Sequence, residues 1–471
     1  MRRAVFLVSL AILGCGPAPA PRSAPPPEPP PPTPTPQVIA TGEPNTVEVP
    51  PAVAVEEDPG TVAAVEVTQN TGWLTFHGDN TRTGTVSAPA ITNPRIAWSA
   101  EVGIQGYLNG PVAIGGQLVI VPSSGKAHNQ PDPKDGVVAL DQKTGKRLWF
   151  THFDQDANGV AVTQSRVFAT SDDGNTYALD LRTGKVVWKQ AGKGKVYSYP
   201  LLVGDSVIVG DAGGYLYALA QADGKERWKT QLTGAIRGGA SADERFIYAA
   251  SQGGEVVALT HDGKEAWRQT VMRPPWGGKG RPLPTEIYAP PIVAQDLLIL
   301  PFSRDTYYKD VPGFVALAKK NGRERWRAKG PGDWGNVRTT PALVAGMLVY
   351  AEPYSGDIVG ITVSTGRMVY RHTVGPCYFP QWSSPAAAGD VVYVPRFGGS
   401  VYAVRAASGK KLWDLYLGDK KSAGRAQRAA GSGCEWDVPS GFPLYSPAAV
   451  AEDGTLFVGS GEGWLYAIRG S

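Results

Sequence analysis

Cysteine, histidine and methionine are scarce in this chain, with three, five and four copies among 471 residues. The five histidines do not have the spacing of a zinc site, and neither a Cys-x-x-Cys-His haem motif nor a Gly-Lys-Ser/Thr phosphate loop occurs. The net charge is only +4, with the signs interleaved, so a basic block suited to a nucleic acid is also missing. Motifs therefore assign no catalytic residue, and nucleic acid is not an expected partner.

The N-terminal apolar run, residues 4–13, is too short to cross a bilayer and is typical of a signal-peptide core. Arg2 and Arg3 precede it, and it ends in Leu13-Gly14-Cys15, which resembles a bacterial lipobox. Residues 1–15 are thus predicted to be a lipoprotein signal peptide with Cys15 acylated, which would hold the chain at a membrane. The alternative is a plain secretory signal followed by a chance cysteine. Gly16 after the cysteine favours the outer membrane by its resemblance to sorting signals.

Proline is abundant directly after this segment, with 12 copies in residues 16–36. Such a composition prevents helix and sheet formation and favours extended polyproline II. The residues that follow are polar and poor in aromatic side chains. Residues 16–72 are therefore predicted to be a disordered tether.

The remaining chain, residues 73–471, repeats itself. Segments 138–149, 177–188 and 217–228 share an Ala-Leu step, a Thr-Gly-Lys or Asp-Gly-Lys turn and a terminal tryptophan. Each repeat predicts four strands, and its terminal ring is expected to pack between neighbouring units. These predicted packing residues are Trp98, Trp149, Trp188, Trp228, Trp267, Trp326, Tyr370 and Trp413.

The eighth repeat is incomplete, because it stops at Ile468 before its terminal strand. A matching strand without a repeat of its own stands at the other end, around Trp98. Joining the two would close a ring and remove the open sheet edges. The sequence therefore predicts an all-β, eight-bladed β-propeller of four-stranded antiparallel blades, closed by an N-terminal strand and monomeric.

The unit Tyr-Ala-Leu-Asp-x-x-Thr-Gly-Lys-x-x-Trp resembles the PQQ-like propeller repeat, and residues 73–84 resemble the lead-in of that superfamily. Its members include quinoprotein alcohol dehydrogenases and BamB-type lipoproteins of outer-membrane β-barrel assembly. The resemblance implies the fold and leaves the function open. The dehydrogenases carry adjacent cysteines over a quinone with Ca²⁺, and this chain has none, so no cofactor is expected and PQQ with Ca²⁺ is disfavoured.

Long insertions all fall in connections at one predicted end of the ring: residues 122–136, 268–286, 301–313, 327–339, 371–383 and 414–445. Loops of this kind on a rigid scaffold often carry function, and aromatic and arginine side chains are common interface anchors. The predicted interaction face comprises Trp276, Arg281, Tyr307, Tyr308, Trp334, Arg338, Trp382, Trp436 and Tyr445. The predicted channel mouth comprises Tyr199, Arg237, Tyr288, Arg338 and Trp382. Alternatively, these side chains only pack the loops onto the ring.

Two smaller features complete the expectations. Cys377 and Cys434, in consecutive insertions, are predicted to form a disulfide, with two free buried thiols as the alternative. Asp154, Asp156 and Asn158 resemble the start of a Ca²⁺ loop, but Ser165 stands where its closing Glu should be, so a polar turn is the preferred interpretation.

The leading hypothesis is a non-catalytic envelope lipoprotein that faces the periplasm and docks a protein partner, such as a β-barrel assembly component. The alternatives are a quinoprotein oxidoreductase and a ligand-binding or sensor propeller.

Overall fold

The computed structural model describes residues 72–471 except 107–108, 274–280, 302–311, 330–337, 353–354, 376–382, 419–443 and 445. Within these residues the regular structure is all strand, arranged as eight four-stranded antiparallel blades. The predicted eight-bladed propeller is confirmed. None of the described segments is a helix with the length and hydropathy of a membrane span.

Three strands precede the first complete blade in the chain: β1 (Gly72–Trp73), β2 (Thr85–Val86) and β3 (Pro94–Glu101). Blade 1 is β4 (Val112–Ile114), β5 (Leu118–Ser124), β6 (Asp135–Asp141) and β7 (Arg147–His152). Blade 2 is β8 (Ala157–Val162), β9 (Arg166–Ser171), β10 (Asn175–Asp180) and β11 (Val186–Ala191). Blade 3 is β12 (Leu201–Val203), β13 (Ser206–Gly210), β14 (Tyr215–Ala220) and β15 (Glu226–Gln231). Blade 4 is β16 (Ala240–Ala242), β17 (Phe246–Ala250), β18 (Glu255–Thr260) and β19 (Glu265–Thr270).

A two-stranded ribbon follows, β20 (Met272–Arg273) with β21 (Leu283–Pro284). Blade 5 is β22 (Ile292–Ala294), β23 (Leu297–Pro301), β24 (Pro312–Ala318) and β25 (Glu324–Lys329). Blade 6 is β26 (Ala342–Val344), β27 (Met347–Ala351), β28 (Asp357–Thr362) and β29 (Met368–Thr373). Blade 7 is β30 (Ala386–Ala388), β31 (Val391–Pro395), β32 (Ser400–Arg405) and β33 (Lys411–Tyr416). Blade 8 is β34 (Ala449–Val450), β35 (Leu456–Gly459) and β36 (Trp464–Gly470), with β3 as its fourth strand.

The ring closes through β3, which pairs antiparallel with β36 and places Trp98 opposite Ala467. The missing half of the last repeat is thus supplied by the N-terminal strand, as the sequence predicts. The hydrophobic core is divided among the interfaces between blades. One cluster, for example, joins Val112 and Ile120 of blade 1 to Val167 and Tyr177 of blade 2.

The terminal aromatic side chain of each repeat packs against the next blade of the propeller. Each indole N–H, and the Tyr370 hydroxyl, donates one hydrogen bond to a main-chain carbonyl of that blade, at 2.7 to 3.1 Å. The pairs are Trp98–Gln142, Trp149–Leu181, Trp188–Gln221, Trp228–His261, Trp267–Lys319, Trp326–Val363, Tyr370–Ala406 and Trp413–Ile91. Blade 8 takes its outer strand from β3 and therefore has no turn between third and outer strands. Trp413 of blade 7 donates instead to the Ile91 carbonyl, just before β3.

The Thr-Gly turn of each repeat makes this docking possible. In blade 2, Asp180 accepts hydrogen bonds from the main-chain amides of Arg182 and Thr183, which fixes the turn. Gly184 then has φ +69°, and a Cβ there would lie 2.6 Å from the Trp149 ring. Glycine is therefore required both for the left-handed conformation and for the space under the ring.

The two ends of the ring differ. Consecutive strands of a blade are antiparallel, so the turns between first and second strands share one end, the short-turn face, with the Thr-Gly turns. All remaining connections lie at the opposite end, the elaborated face. The strands extend further towards that end than predicted, since β5 continues to Ser124 and β6 begins at Asp135 within the predicted insertion 122–136. The insertion 268–286 also contains the ribbon, which the sequence did not predict.

Residues 72–86, here named the clasp, line the inside of the ring. β1 pairs antiparallel with β4 of blade 1, and β2 pairs in parallel with β30 of blade 7. Between them, Arg82 is fully buried, and Phe76 and His77 are 3% and 1% exposed. The sequence identified this segment only as a lead-in, and the structure places it along the inner strands.

Candidate interaction face

An alternating stack of tyrosine and arginine side chains lies on the elaborated face of blades 3 to 6. The Arg237 guanidinium carbon is 4.3 Å from the Tyr197 ring centroid and 6.0 Å from that of Tyr288. The Arg338 guanidinium carbon is 4.4 Å from the Tyr288 centroid, on which it forms the next cation–π contact. We name these four residues the Tyr–Arg stack.

The repeat itself generates the stack. Tyr197, Tyr288 and Arg338 each stand four residues before the inner strand of their blade, and Arg237 stands three before β16. Successive inner strands lie side by side around the ring, so side chains at this position become neighbours. Trp382 occupies the same position before β30 in the sequence but lies outside the described residues.

Hydrogen bonds orient the stack. The Arg237 Nε–H donates to the Gln252 amide oxygen at 3.1 Å, and the Tyr288 hydroxyl donates to Glu286 at 3.0 Å. Tyr288 is buried, whereas Tyr197, Arg237 and Arg338 are half-buried. The two guanidinium groups therefore present positive charge beside flat aromatic surface, an arrangement suited to a carboxylate-bearing partner.

The ribbon adds exposed apolar side chains to the same face. Met272 is 37% exposed on β20 and Leu283 is 44% exposed on β21. The Arg327 guanidinium donates to the Met272 carbonyl at 2.5 Å and so ties the ribbon to blade 5. Arg281, one of the predicted interface residues, is exposed just before β21. Apolar groups beside arginine are typical of protein interfaces.

Several predicted site residues can be located, and others cannot. Arg237, Tyr288 and Arg338 come together as described, while Tyr199 does not open to the channel mouth as predicted. It is 4% exposed and stacks on Phe76 of the clasp at 3.6 Å, so it packs the ring interior. Outside the described residues lie Cys15, Trp276, Tyr307, Tyr308, Trp334, Cys377, Trp382, Cys434, Trp436 and Tyr445. Sequence reasoning missed Tyr197, which the common position before the inner strands would have identified.

The three residues of the Ca²⁺ candidate have different partners. Asp154 is exposed and 3.7 Å from Lys189, and Asp156 accepts a hydrogen bond from the Asn129 amide at 3.0 Å. Asn158 turns its amide nitrogen to Asp172 at 2.9 Å and to the Val196 carbonyl. The segment therefore joins blades 1, 2 and 3 by polar contacts.

A buried carboxyl lies close to that segment. Asp135 is fully buried, accepts the Asp132 amide at 2.9 Å and leaves its other oxygen without a partner. Burial raises the pKa of Asp135 to about 6, and the charges of Asp132 and Asp156 act in the same direction. Ionisation of Asp135 is thus unfavourable in the folded protein.

We expect Asp135→Asn to stabilise the protein in a pH-dependent manner. Since the folded-state pKa is raised above the ordinary 3.8, the wild-type protein loses stability as the pH rises from about 4 through 6. Asparagine does not ionise, so at pH 8 the variant should gain on the order of 1–2 kcal/mol in unfolding free energy. Urea denaturation at pH 8 and pH 4 measures this, and a gain of the same size at both values would contradict the assigned cause.

Comparison with known proteins identifies the family. The family model described as outer membrane protein assembly factor BamB matches residues 133–299, 212–376 and 299–432. These matches together span more than half of the chain. The chain belongs to this family.

Individual relatives are distant. BamB from Burkholderia pseudomallei is 24% identical over 280 residues, which cover 56% of this chain and 68% of the relative. The crystal structure of BamB from Moraxella catarrhalis has a TM-score of 0.58 at 17% identity and covers 80% of this chain and 99% of that one. The quinohemoprotein alcohol dehydrogenase of Comamonas testosteroni has a TM-score of 0.60 at 16% identity, covering 85% and 81%. Such structural likeness shows a fold that assembly factors and enzymes share.

The dehydrogenase relative raises the question of a quinone cofactor with Ca²⁺. Among the described residues, no group of three or more His, Cys, Asp or Glu side chains could hold a metal ion. Phe76, His77 and Arg82 of the clasp, all nearly or fully buried, occupy part of the inside of the ring. A planar quinone at the level of these side chains would have to displace them.

Proposed function

We propose that this protein is a non-catalytic docking scaffold of the bacterial envelope, with a role like that of BamB in outer-membrane protein assembly. Family membership supports the assembly role, and the Tyr–Arg stack on the elaborated face supports docking. The predicted lipid on Cys15 would hold the scaffold at the outer membrane, with the propeller in the periplasm. The predicted bridge between Cys377 and Cys434 would join two insertions of the same face.

The Tyr–Arg stack is the observation that carries this proposal. Its four members come from four successive blades, so the rigid ring fixes their spacing before a partner arrives. A preorganised surface loses little side-chain freedom on binding, which leaves more of the contact energy for affinity. The exposed Met272 and Leu283 supply apolar area next to the charges. A protein segment with acidic and apolar side chains fits this chemistry.

Charge reversal in the stack tests the proposal. We expect Arg237→Glu and Arg338→Glu each to weaken capture of a β-barrel assembly component at least tenfold, because anchoring arginines typically contribute about 2 kcal/mol or more. The measurement is quantitative mass spectrometry of proteins bound to the tagged full chain from detergent-solubilised envelopes. Arg182→Glu, an exposed residue on the short-turn face, is the matched control and should bind like the wild type.

Two results would refute the docking proposal: no assembly component captured by the wild-type chain, or equal capture by the three variants. Thermal unfolding of each variant distinguishes a lost contact from a lost fold. Because Arg237 and Arg338 are half-buried and stacked on tyrosine rings, their substitution should lower the free energy of unfolding by about 1 kcal/mol, whereas Arg182→Glu should stay within about 0.5 kcal/mol of the wild type.

A quinoprotein oxidoreductase is the second candidate, favoured by the similarity to an alcohol dehydrogenase. The clasp side chains inside the ring and the absence of adjacent cysteines from the sequence argue against it. Adding PQQ and Ca²⁺ to the purified protein and assaying dye reduction with alcohols or sugars decides between the two. Saturable turnover would replace the scaffold proposal.

A further inference from the structure

The clasp receives main-chain hydrogen bonds from five inner strands. Its carbonyls accept amides at 2.7 to 2.9 Å, and the donors come from blades 2, 4, 5, 6 and 7 in that order. The pairs are Val162–Leu74, Ala242–Asn80, Val293–Thr81, Leu343–Thr83 and Ala387–Gly84, with the donor first. Each donor stands near the end of an inner strand at the short-turn face. The clasp therefore crosses the ring interior as a ladder that successive blades share.

Blades 1, 3 and 8 are held by other contacts of the same N-terminal chain. β1 pairs with β4 of blade 1, and β3 forms the outer strand of blade 8. In blade 3, the Thr75 hydroxyl donates to the Pro200 carbonyl at 2.9 Å and the Asn80 amide to the Leu202 carbonyl at 2.7 Å. Between residues 72 and 101, the chain thus contacts all eight blades.

Arg82 joins the two halves of the clasp. Its guanidinium donates to the Phe76 carbonyl at 2.7 Å and the Thr75 hydroxyl at 2.8 Å within the clasp. It also donates to the Ala240 carbonyl of blade 4 at 3.1 Å and the Pro200 carbonyl at 3.3 Å. Arg82 has φ +61°, a conformation that a non-glycine residue keeps only where its surroundings fix it.

The clasp also fills the ring interior with apolar atoms. The Phe76 ring lies parallel to that of Tyr199, with an interplanar angle of 5°. A Cβ on Gly110 of blade 1 would lie 3.4 Å from the Phe76 ring, so the main chain of blade 1 approaches this ring closely. Polar and apolar contacts thus hold the same segment from several sides.

We propose that the clasp is a second closure of the propeller, which locks the ring from inside. β3 closes only the seam between blades 8 and 1, since it completes one sheet. The clasp instead connects seven blades, so separating any two of them would break its hydrogen bonds.

A cut in the folded chain tests this closure. A specific protease site inserted between Pro89, which is exposed, and Ala90 separates the clasp from Ile91 and β3, so the Trp413–Ile91 hydrogen bond cannot retain the fragment. The clasp fragment should stay bound after cleavage and elute with the ring in native size-exclusion chromatography. Separation of the wild-type fragment under native conditions would overturn the proposal.

Variants of the cut protein then identify what holds the clasp. We expect Arg82→Met to speed release of the fragment at least tenfold and Asn80→Ala, a milder change, to speed it severalfold. Ser87→Ala, at an exposed position just after the clasp, is the control and should release like the wild type. In the uncut Asn80→Ala protein, the amides of Ala242, Val293 and Leu343 should exchange hydrogen faster than in the wild type. Unchanged release and exchange in both clasp variants would also overturn the proposal.

Discussion

Replacing Arg82 by methionine is expected to lower the free energy of unfolding by about 3 kcal/mol or more. The Arg82 guanidinium is fully buried and satisfies three main-chain carbonyls and one hydroxyl. Methionine fills much of the same volume but donates no hydrogen bond, so the Phe76 and Ala240 carbonyls would lose this donor, while the Pro200 carbonyl would keep only the Thr75 hydroxyl. Leaving buried polar groups unsatisfied costs about 1–3 kcal/mol each.

The charge of Arg82 is part of this effect. Burial lowers the pKa of Arg82 to about 10, and the nearby Asp79 opposes the shift, so the group remains charged at neutral pH. His77 beside it is neutral, because burial lowers its pKa to about 3 and the positive charge of Arg82 acts in the same direction. The clasp therefore keeps one buried cation and avoids a second.

Equilibrium urea denaturation of Arg82→Met and Arg82→Lys measures the size of the effect. Lysine keeps the charge but cannot reproduce the planar arrangement of donors, so this variant should lose stability as well. Arg182→Met, on an exposed turn, is the control and should stay within about 0.5 kcal/mol of the wild type. A loss in Arg82→Met as small as in that control would show that the buried hydrogen bonds contribute little.

The ring closure could be predicted from the sequence because it depends on the repeat. The repeat that stops at Ile468 lacks its terminal strand, and the segment around Trp98 has that strand's pattern. Pairing of Trp98 with Ala467 is the consequence. The position of a strand within a repeat is a local property of the sequence. The alternating pattern and the Thr-Gly turns were therefore sufficient to predict the closure.

The clasp could not be predicted in this way. Most of its contacts join main-chain carbonyls to main-chain amides, which every sequence offers alike. Its own residues show neither helical nor alternating periodicity, and His77 and Arg82 adopt left-handed conformations that their side chains do not favour. Only the assembled ring brings its binding partners to one place.

The Tyr–Arg stack is an intermediate case. Its residue types suggested an interface, and Arg237, Tyr288 and Arg338 were predicted to lie at one mouth. The alternation of cation and ring depends on the common position before each inner strand, which becomes visible only when the blades are aligned. Tyr199, two residues further on, has the same chemistry but is buried against Phe76.

Trp98→Ala is expected to lower the free energy of unfolding as much as Arg82→Met does, for a different reason. The Trp98 ring is 4% exposed, lies in the strand that closes the ring and donates to the Gln142 carbonyl of blade 1 at 3.0 Å. Removing it leaves a cavity at the seam between blades 8 and 1, and such truncations cost about 3–5 kcal/mol. Trp98→Phe keeps most of the apolar contact and loses the hydrogen bond, so it should cost about 1 kcal/mol.

Gly145, which lies beneath the Trp98 side chain, provides a second test of the same seam. Gly145 has φ +73°, and a Cβ there would lie 2.6 Å from the Trp98 ring, so Gly145→Ala should destabilise the same seam. Hydrogen exchange of the β36 amides should accelerate in Trp98→Ala and Gly145→Ala but not in Trp149→Ala, whose docking site lies between blades 1 and 2. Equal acceleration of β36 in Trp149→Ala would mean that the ring loosens as a whole. Acceleration confined to the seam variants would mean that each tryptophan secures its own blade interface.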